Sequence, residues 1–437
     1  MMKTRATVRG AFLYPPTESL KKRGYYSWPG VGFDPEGRQK EYMKHIEGIS
    51  KRLGMEISVD ERPLHEPEAI ERFVKEVEAE RPDGLLLIPF QKGMWEFVGR
   101  IVEEISIPTV VMVPLGVLLN PQINQLYRKP GVYLINSLDN FGALEYGMRM
   151  IRTARRMRES LIVNVAGTET GERRVDDIFG TLVRTVPIKR YTEEFKRMGV
   201  TDEVREIADA YVRNALKVVE PSESDIIDAA KTYLVCKRII ESEGADAFMM
   251  DCLRAIGPEK PVPCMAYMSL RDEGIAMGCQ SDLNATLTQM LLLELFDKPG
   301  FQQNASCETE KNHYFGAHCT CPTRLRGLGE PPEPYILRNH AETGTGVSPQ
   351  VLWSEGEEMT MAHYLPGKPP QMIIYSGKVV RCYETPPAGG CRTNVELIIN
   401  EVDDACQVKG MHQTIIYGDH ARQLRSFCQL FGITAVT

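Results

Sequence analysis

Residues 273–326 read EGIAMGCQSDLNATLTQMLLLELFDKPGFQQNASCETEKNHYFGAHCTCPTRLR. A short apolar turn, 274–279, runs into Gln280-Ser281-Asp282. From there Leu283, Leu287, Met290, Leu291 and Leu295 recur at helical spacing. This predicts a helix capped by Ser281 or Asp282 and ending near Lys298-Pro299-Gly300. Leu292, Leu293 and Phe296 carry the apolar surface around most of the last turns, as in a buried helix. Polar clusters follow at Gln302-Gln303-Asn304, at 307–310 and at His318-Cys319-Thr320-Cys321-Pro322. A buried helix flanked by polar clusters is how a strand-helix unit presents side chains to a cleft at its strand ends.

Upstream, the chain alternates strand-like and helix-like segments. A first strand is expected over 6–13, and Leu85-Leu86-Leu87-Ile88-Pro89 and Thr109-Val110-Val111-Met112-Val113 are continuous apolar runs between amphipathic stretches. Such runs indicate a parallel sheet buried on both faces. Loops that follow strands carry ligands in these sheets, so Tyr25, Trp28, Gln91, Lys92 and Trp95 are candidate lining residues, with packed surface aromatics as the plainer alternative. A second α/β unit begins near Leu161; its loop 168–174 is polar but lacks the glycine spacing of a nucleotide-binding turn. Helices are expected over 202–219 and 225–242, then a strand over 247–253 that puts Asp251 at its end. Past Pro332 the pattern turns to short strands and turns, closed by a helix over 419–430. The expected organisation is an N-terminal α/β domain over 1–158, a second α/β domain over 159–300 and a β-rich domain over 301–437.

Composition excludes several classes. At 437 residues the chain is too long for one core. A formal charge of −7 gives no basic face for nucleic acid. No apolar run approaches the roughly 20 residues of a membrane span, and the first residues lack the apolar stretch of a secretory signal. Eleven cysteines, an odd number, fit reduced thiols in a cytoplasmic protein better than a disulfide framework.

The motifs of residues 273–326 resemble the L-fucose isomerase and L-arabinose isomerase superfamily. Its members show a Cys-Glu-x-Asp turn, a helix of the type ALTMLLL, an Asp about two dozen residues past the Glu, and a later His-Cys pair. Here these are Cys279-Gln280-Ser281-Asp282, the helix with Ala285-Thr286-Leu287-Thr288, Asn304 (304 − 280 = 24 residues on) and His318-Cys319. His340-Ala341-Glu342-Thr343-Gly344, 356–360, Gly377, Cys391-Arg392-Thr393, Gly410-Met411-His412 and Tyr417-Gly418-Asp419 follow the family's C-terminal domain in order. The resemblance implies two Rossmann-like parallel α/β domains followed by a barrel-like β-rich domain, in a homotrimer or homohexamer. It also implies a sugar-like ligand and a divalent metal such as Mn²⁺, with Gln280, Asn304 and His412 at the metal positions. Gln280, Asn304, Asp282 and His318 would be catalytic, and Trp28, Lys92, Trp95, His340 and Arg392 would meet substrate.

Both family carboxylates stand here as amides. Aldose-ketose interconversion needs an electrophile, usually a divalent cation, and a group that moves a proton between C1 and C2. An amide oxygen brings no charge and is no base at neutral pH. Asp251, Asp282, Glu308 and Glu310 are the acids placed to substitute. His318-Cys319-Thr320-Cys321, with Cys279 and Cys307 bordering the amide positions, also allows a Cys-His metal site, although Cys-x-Cys without a second matching pair is weakly diagnostic. The expected function is a carbohydrate-processing enzyme with altered or absent metal dependence; the alternative is a non-isomerase that binds a sugar or other small molecule, or acts as a scaffold or partner subunit.

Overall fold

The computed structural model describes residues 4–23, 30, 32–255, 262–384 and 390–437. The chain divides into two compact units, Met1–Arg156 with Arg425–Thr434, and Met157–Leu424 with Ala435–Thr437. The class is mixed α/β, with parallel sheets and one large antiparallel sheet. Among the described residues no helix is long and apolar enough to cross a membrane.

In the first unit, β1 (Thr7–Leu13), β2 (Glu56–Val59), β3 (Gly84–Pro89), β4 (Thr109–Pro114) and β5 (Val132–Ser137) form a parallel sheet in the order β2-β1-β3-β4-β5. Every residue of β3 and β4 is buried, as continuous apolar runs require when helices cover both faces. Trp95 opens the helix Trp95–Glu104 and packs in this unit's core; its indole N–H donates to Gln125 Oε1 at 3.0 Å. It is therefore a core residue of its unit and not the open lining residue expected from its loop position, because its ring is large and its one donor is already paired. Lys92 starts a 3₁₀ turn, Lys92–Met94, just before it. Tyr25 and Trp28 lie outside the described residues.

The second unit carries β6 (Leu161–Val165), β7 (Gly171–Val175), β8 (Thr181–Val186), β9 (Ala247–Met250) and β10 (Ala276–Cys279) in the order β10-β9-β6-β8-β7. All pairs are parallel except β7 with β8. Residues 171–175, read from sequence as part of a ligand loop, are thus an edge strand; their exposed polar side chains suit a sheet edge as well as a loop. Residues 216–219, expected to end a helix, instead lie along β14 (Tyr335–Arg338), where Leu216 N donates to Tyr335 O at 2.8 Å and Val219 N to Leu337 O at 3.1 Å. β14 pairs in turn with β15 (Ser348–Val351).

The antiparallel sheet of the same unit contains β11 (Phe301–Gln302), β12 (Asn304–Glu308), β13 (His313–His318), β16 (Glu358–Leu365), β17 (Gln371–Arg381), β18 (Thr393–Ile399) and β19 (Thr414–Tyr417), ordered β11-β19-β16-β17-β18-β13-β12. One apolar core joins it to the parallel sheet: Val163, Phe248 and Met277 belong to the same buried cluster as Tyr314, Met361 and Ile415. The helix Leu283–Phe296 packs against both, touching β10 and β16, which is why its apolar residues run around the whole cylinder.

Not every thiol is reduced. Cys307 on β12 and Cys406 are joined in a disulfide with Cα atoms 5.6 Å apart, which corrects the expectation of free cysteines throughout. Spacing in sequence gave no hint, since the pair is 99 residues apart. The denatured, unreduced chain should titrate nine thiols against a chromogenic disulfide, rising to eleven after reduction. Eleven thiols before reduction would show the bridge is not formed.

Candidate functional site

The site is built at the C-terminal end of β10. After Cys279 the backbone turns left-handed at two successive non-glycine residues, Gln280 (φ 59°) and Ser281 (φ 53°). Left-handed conformations of ordinary residues are costly and concentrate where function requires them. The turn is held by Ser281 N donating to Met250 O at 2.9 Å and by the Ser281 hydroxyl donating to Asn164 Oδ1 at 2.7 Å. Asp282 then caps the helix Leu283–Phe296, accepting from Ala285 N at 2.8 Å. Gly278 permits the close approach of that helix: a Cβ there would strike the Thr286 hydroxyl and sit 3.0 Å from the Asp282 carbonyl.

The antiparallel sheet supplies the opposite wall. The Gln302 side chain pairs with the Cys279 backbone, accepting from its N–H at 3.0 Å and donating to its carbonyl at 3.3 Å, and so fixes β11 against β10. Two residues on, Asn304 opens β12 opposite Ala317, next to His318. Arg271 is fully buried; its guanidinium donates to the carbonyls of Met277 and Thr320. No carboxylate pairs with it among the described residues.

These walls enclose a pocket lined by Gln280, Asn304, His318, His340 and Glu342, together with the thiols of Cys252, Cys264, Cys279, Cys319 and Cys391. The cavity measures about 20 Å³, room for one water or one small ion. The Cys252 and Cys279 sulfurs are 3.3 Å apart. His318 Nδ1 lies 3.5 Å from Cys319 Sγ and 3.3 Å from Thr320 Oγ1.

Behind His318 stands a second imidazole. The rings of His318 and His412 meet edge to face with centroids 5.5 Å apart, and His412 Nδ1 is 2.8 Å from Asp282 Oδ2. Both Nε2 atoms are buried without a hydrogen-bond partner. Burial pushes the Asp282 carboxyl up, but the bonds from His412 and the Ala285 amide outweigh it and its pKa ends below the usual carboxylate value. Burial pushes His318 down to about 3, with the neighbouring His412 acting the same way. His363, whose Nδ1 is also buried and unpartnered, is lowered by burial as well.

A pH dependence follows from His318. Its folded pKa lies below the unfolded value of 6.5, so the unfolded chain takes up a proton that the folded chain refuses. Stability is full above that value and falls as the pH drops toward about 3. Metal-free protein should lose about 2 kcal/mol from this group between about pH 6.5 and 5. Urea denaturation of His318→Gln should show a shallower acid slope than the parent; identical slopes would refute the assignment.

Of the residues singled out from sequence, Gln280, Asn304, His318 and His340 meet at this pocket, with Asp282 and His412 directly behind it. Arg392 does not line it: its guanidinium holds Asn339, donating to the carbonyl at 3.0 Å and to the side-chain oxygen, and so steadies the segment carrying His340. Glu308 and Glu310 do not serve as substitute acids. Glu308 caps the β12–β13 turn, accepting from the amides of Glu310 and Lys311, four residues along the strand from Asn304, or roughly 13 Å. Asp251 pairs with Arg254 at 3.3 Å. Cys252, Cys264, Cys391 and His363 were missed. No spacing links them in sequence, and only the junction of two sheets brings them together.

The donor set does not fit Mn²⁺. Gln280 and Asn304 supply neutral oxygens, His412 one buried nitrogen, and the two Asp282 oxygens already accept from Ala285 and face His412; Glu342, the carboxylate that lines the pocket, is an exposed residue. Hard dications are held by carboxylates that neutralise their charge. No family model matches this chain, and no curated protein matches it.

Proposed function

We propose that this chain is a carbohydrate-processing enzyme of the L-fucose and L-arabinose isomerase kind, acting on a sugar or related polyol with altered or absent Mn²⁺ dependence. The supporting observation is that Gln280, in the turn after β10, and Asn304, on β12 of the other sheet and 24 positions along, line one pocket with His318 and His340. On this reading the parallel sheets are Rossmann-like, the antiparallel sheet is the family's barrel-like domain, and the chain works as a cytoplasmic trimer or hexamer.

The chemistry is assigned to this chain's own groups. His412, fixed at Nδ1 by Asp282 and unpartnered at Nε2, stands behind the pocket wall and positions the His318 ring that lines it. The side-chain amides of Gln280 and Asn304 orient the carbonyl and adjacent hydroxyl, since each offers both donors and an acceptor.

The test is exchange in heavy water. Aldoses and ketoses incubated with the protein should incorporate deuterium at C1 or C2, read by NMR, and Asp282→Asn and His412→Asn should slow that exchange by about 10²-fold or more. Saturable sugar binding without exchange would instead support a binding protein, the reading that the two amides favour. Neither binding nor exchange would sink both.

A further inference from the structure

We propose that Cys279, His318 and Cys319 form a site for one thiophilic divalent ion, zinc, at the floor of the pocket. Their donor atoms all lie within 4.8 Å of one another and all three residues are buried. Zinc bound to sulfur at about 2.3 Å and to nitrogen at about 2.0 Å in a tetrahedron separates those ligands by roughly 3.5 Å. The distance from His318 Nδ1 to Cys319 Sγ is 3.5 Å, so this edge of the tetrahedron is already set.

Three further observations point to an ion. His318 is 1% exposed, and its Nδ1 faces the Cys319 thiol and the Thr320 hydroxyl inside the buried wall of the pocket. Arg271 places a buried cation beside Thr320 with no carboxylate to balance it among the described residues. Two thiolates beside that charge would neutralise both the arginine and part of the metal charge. The cavity, finally, has the size of an ion or a water.

Zinc is held by thiolate sulfur, so Cys279 and Cys319 release their protons when the ion binds. Sulfur and imidazole ligands select zinc, cobalt or copper(I) over manganese. Three protein ligands leave a fourth position for water, the pattern of a reactive zinc site. A second trio, Cys264, Cys319 and His340, shares Cys319, so a single ion cannot fill both sites in full. The first trio is preferred because the imidazole edge beside Cys319 is formed and His412 backs its ring.

The probe is Co²⁺ added to chelator-stripped, fully reduced full-length protein. One equivalent should give the near-ultraviolet sulfur-to-cobalt charge-transfer band and the visible bands of tetrahedral cobalt. Stoichiometric Zn²⁺ should bleach them, and a hundredfold excess of Mn²⁺ should not. Cys279→Ser and Cys319→Ser should each remove most of the band and weaken Zn²⁺ binding by about 10²-fold or more. Cys264→Ser and the remote Cys382→Ser should keep it, with circular dichroism confirming the fold of each variant. The wild-type spectrum decides even if a variant fails to fold: absence of the band overturns the proposal. So does a band that survives Cys279→Ser, or one lost in folded Cys264→Ser alone. None of these readouts depends on sugar chemistry, so the zinc site can stand or fall apart from the isomerase reading.

Discussion

Gln280→Glu with Asn304→Asp should bind Mn²⁺ at least about a hundredfold more tightly than the parent chain, tenfold or more for each added carboxylate. The parent presents two uncharged oxygens and one imidazole to the cation, while Asp282 is engaged by Ala285 and His412. In a partly desolvated pocket each new negative charge acts on the ion at an effective dielectric far below that of water. The Glu at 280 would still sit in the left-handed turn that aims the side chain, so the change is electrostatic and leaves the backbone as it is. Calorimetric titration of Mn²⁺ into both proteins reads the effect. A parent that binds Mn²⁺ tightly, or a double variant no better than the parent, would show that charge at these positions does not govern the site. The isomerase activity proposed above need not rise in step, because the pocket is also lined by thiols and imidazoles, ligands that favour softer ions than Mn²⁺.

Arg271→Met should cost roughly 3–5 kcal/mol of stability. Arg271 is the largest fully buried side chain among the described residues, and it bonds the Met277 carbonyl on β10 and the Thr320 carbonyl just past β13. Removing it strands two buried carbonyls, each worth about 1–3 kcal/mol when left unpaired. It also frees the segment carrying His318 and Cys319 from the strand carrying Cys279. Arg271→Lys should recover part of the loss, since an ammonium reaches one carbonyl but cannot span both. Urea midpoints at constant slope provide the measurement. A loss below about 1 kcal/mol would mean that water replaces the guanidinium without penalty.

Much of the layout was legible because periodicity follows burial. The runs at Leu85–Ile88 and Thr109–Val113 could only be strands covered on both sides, and they lie in the interior of a parallel sheet. The helix after Asp282 announced itself by spacing and cap, and it runs over Leu283–Phe296. Trp95 misled because a large aromatic in a loop-like context reads the same whether its indole faces a ligand or a core partner such as Gln125. Residues 171–175 misled because a run of consecutive exposed polar residues serves a sheet edge as well as a loop.

By itself, the sequence determined the class of the long, strongly patterned elements, such as β3, β4 and the helix after Asp282, since that is a local property of residue type and spacing. The convergence of Cys252, Cys264, Cys279, Cys319 and Cys391 with His318 and His340 was decided only in three dimensions. Their separations run to more than a hundred residues, and no local pattern constrains such distances. What brings them together is one apolar core shared by a parallel and an antiparallel sheet, pinned by Gln302 and Arg271 reaching across the junction.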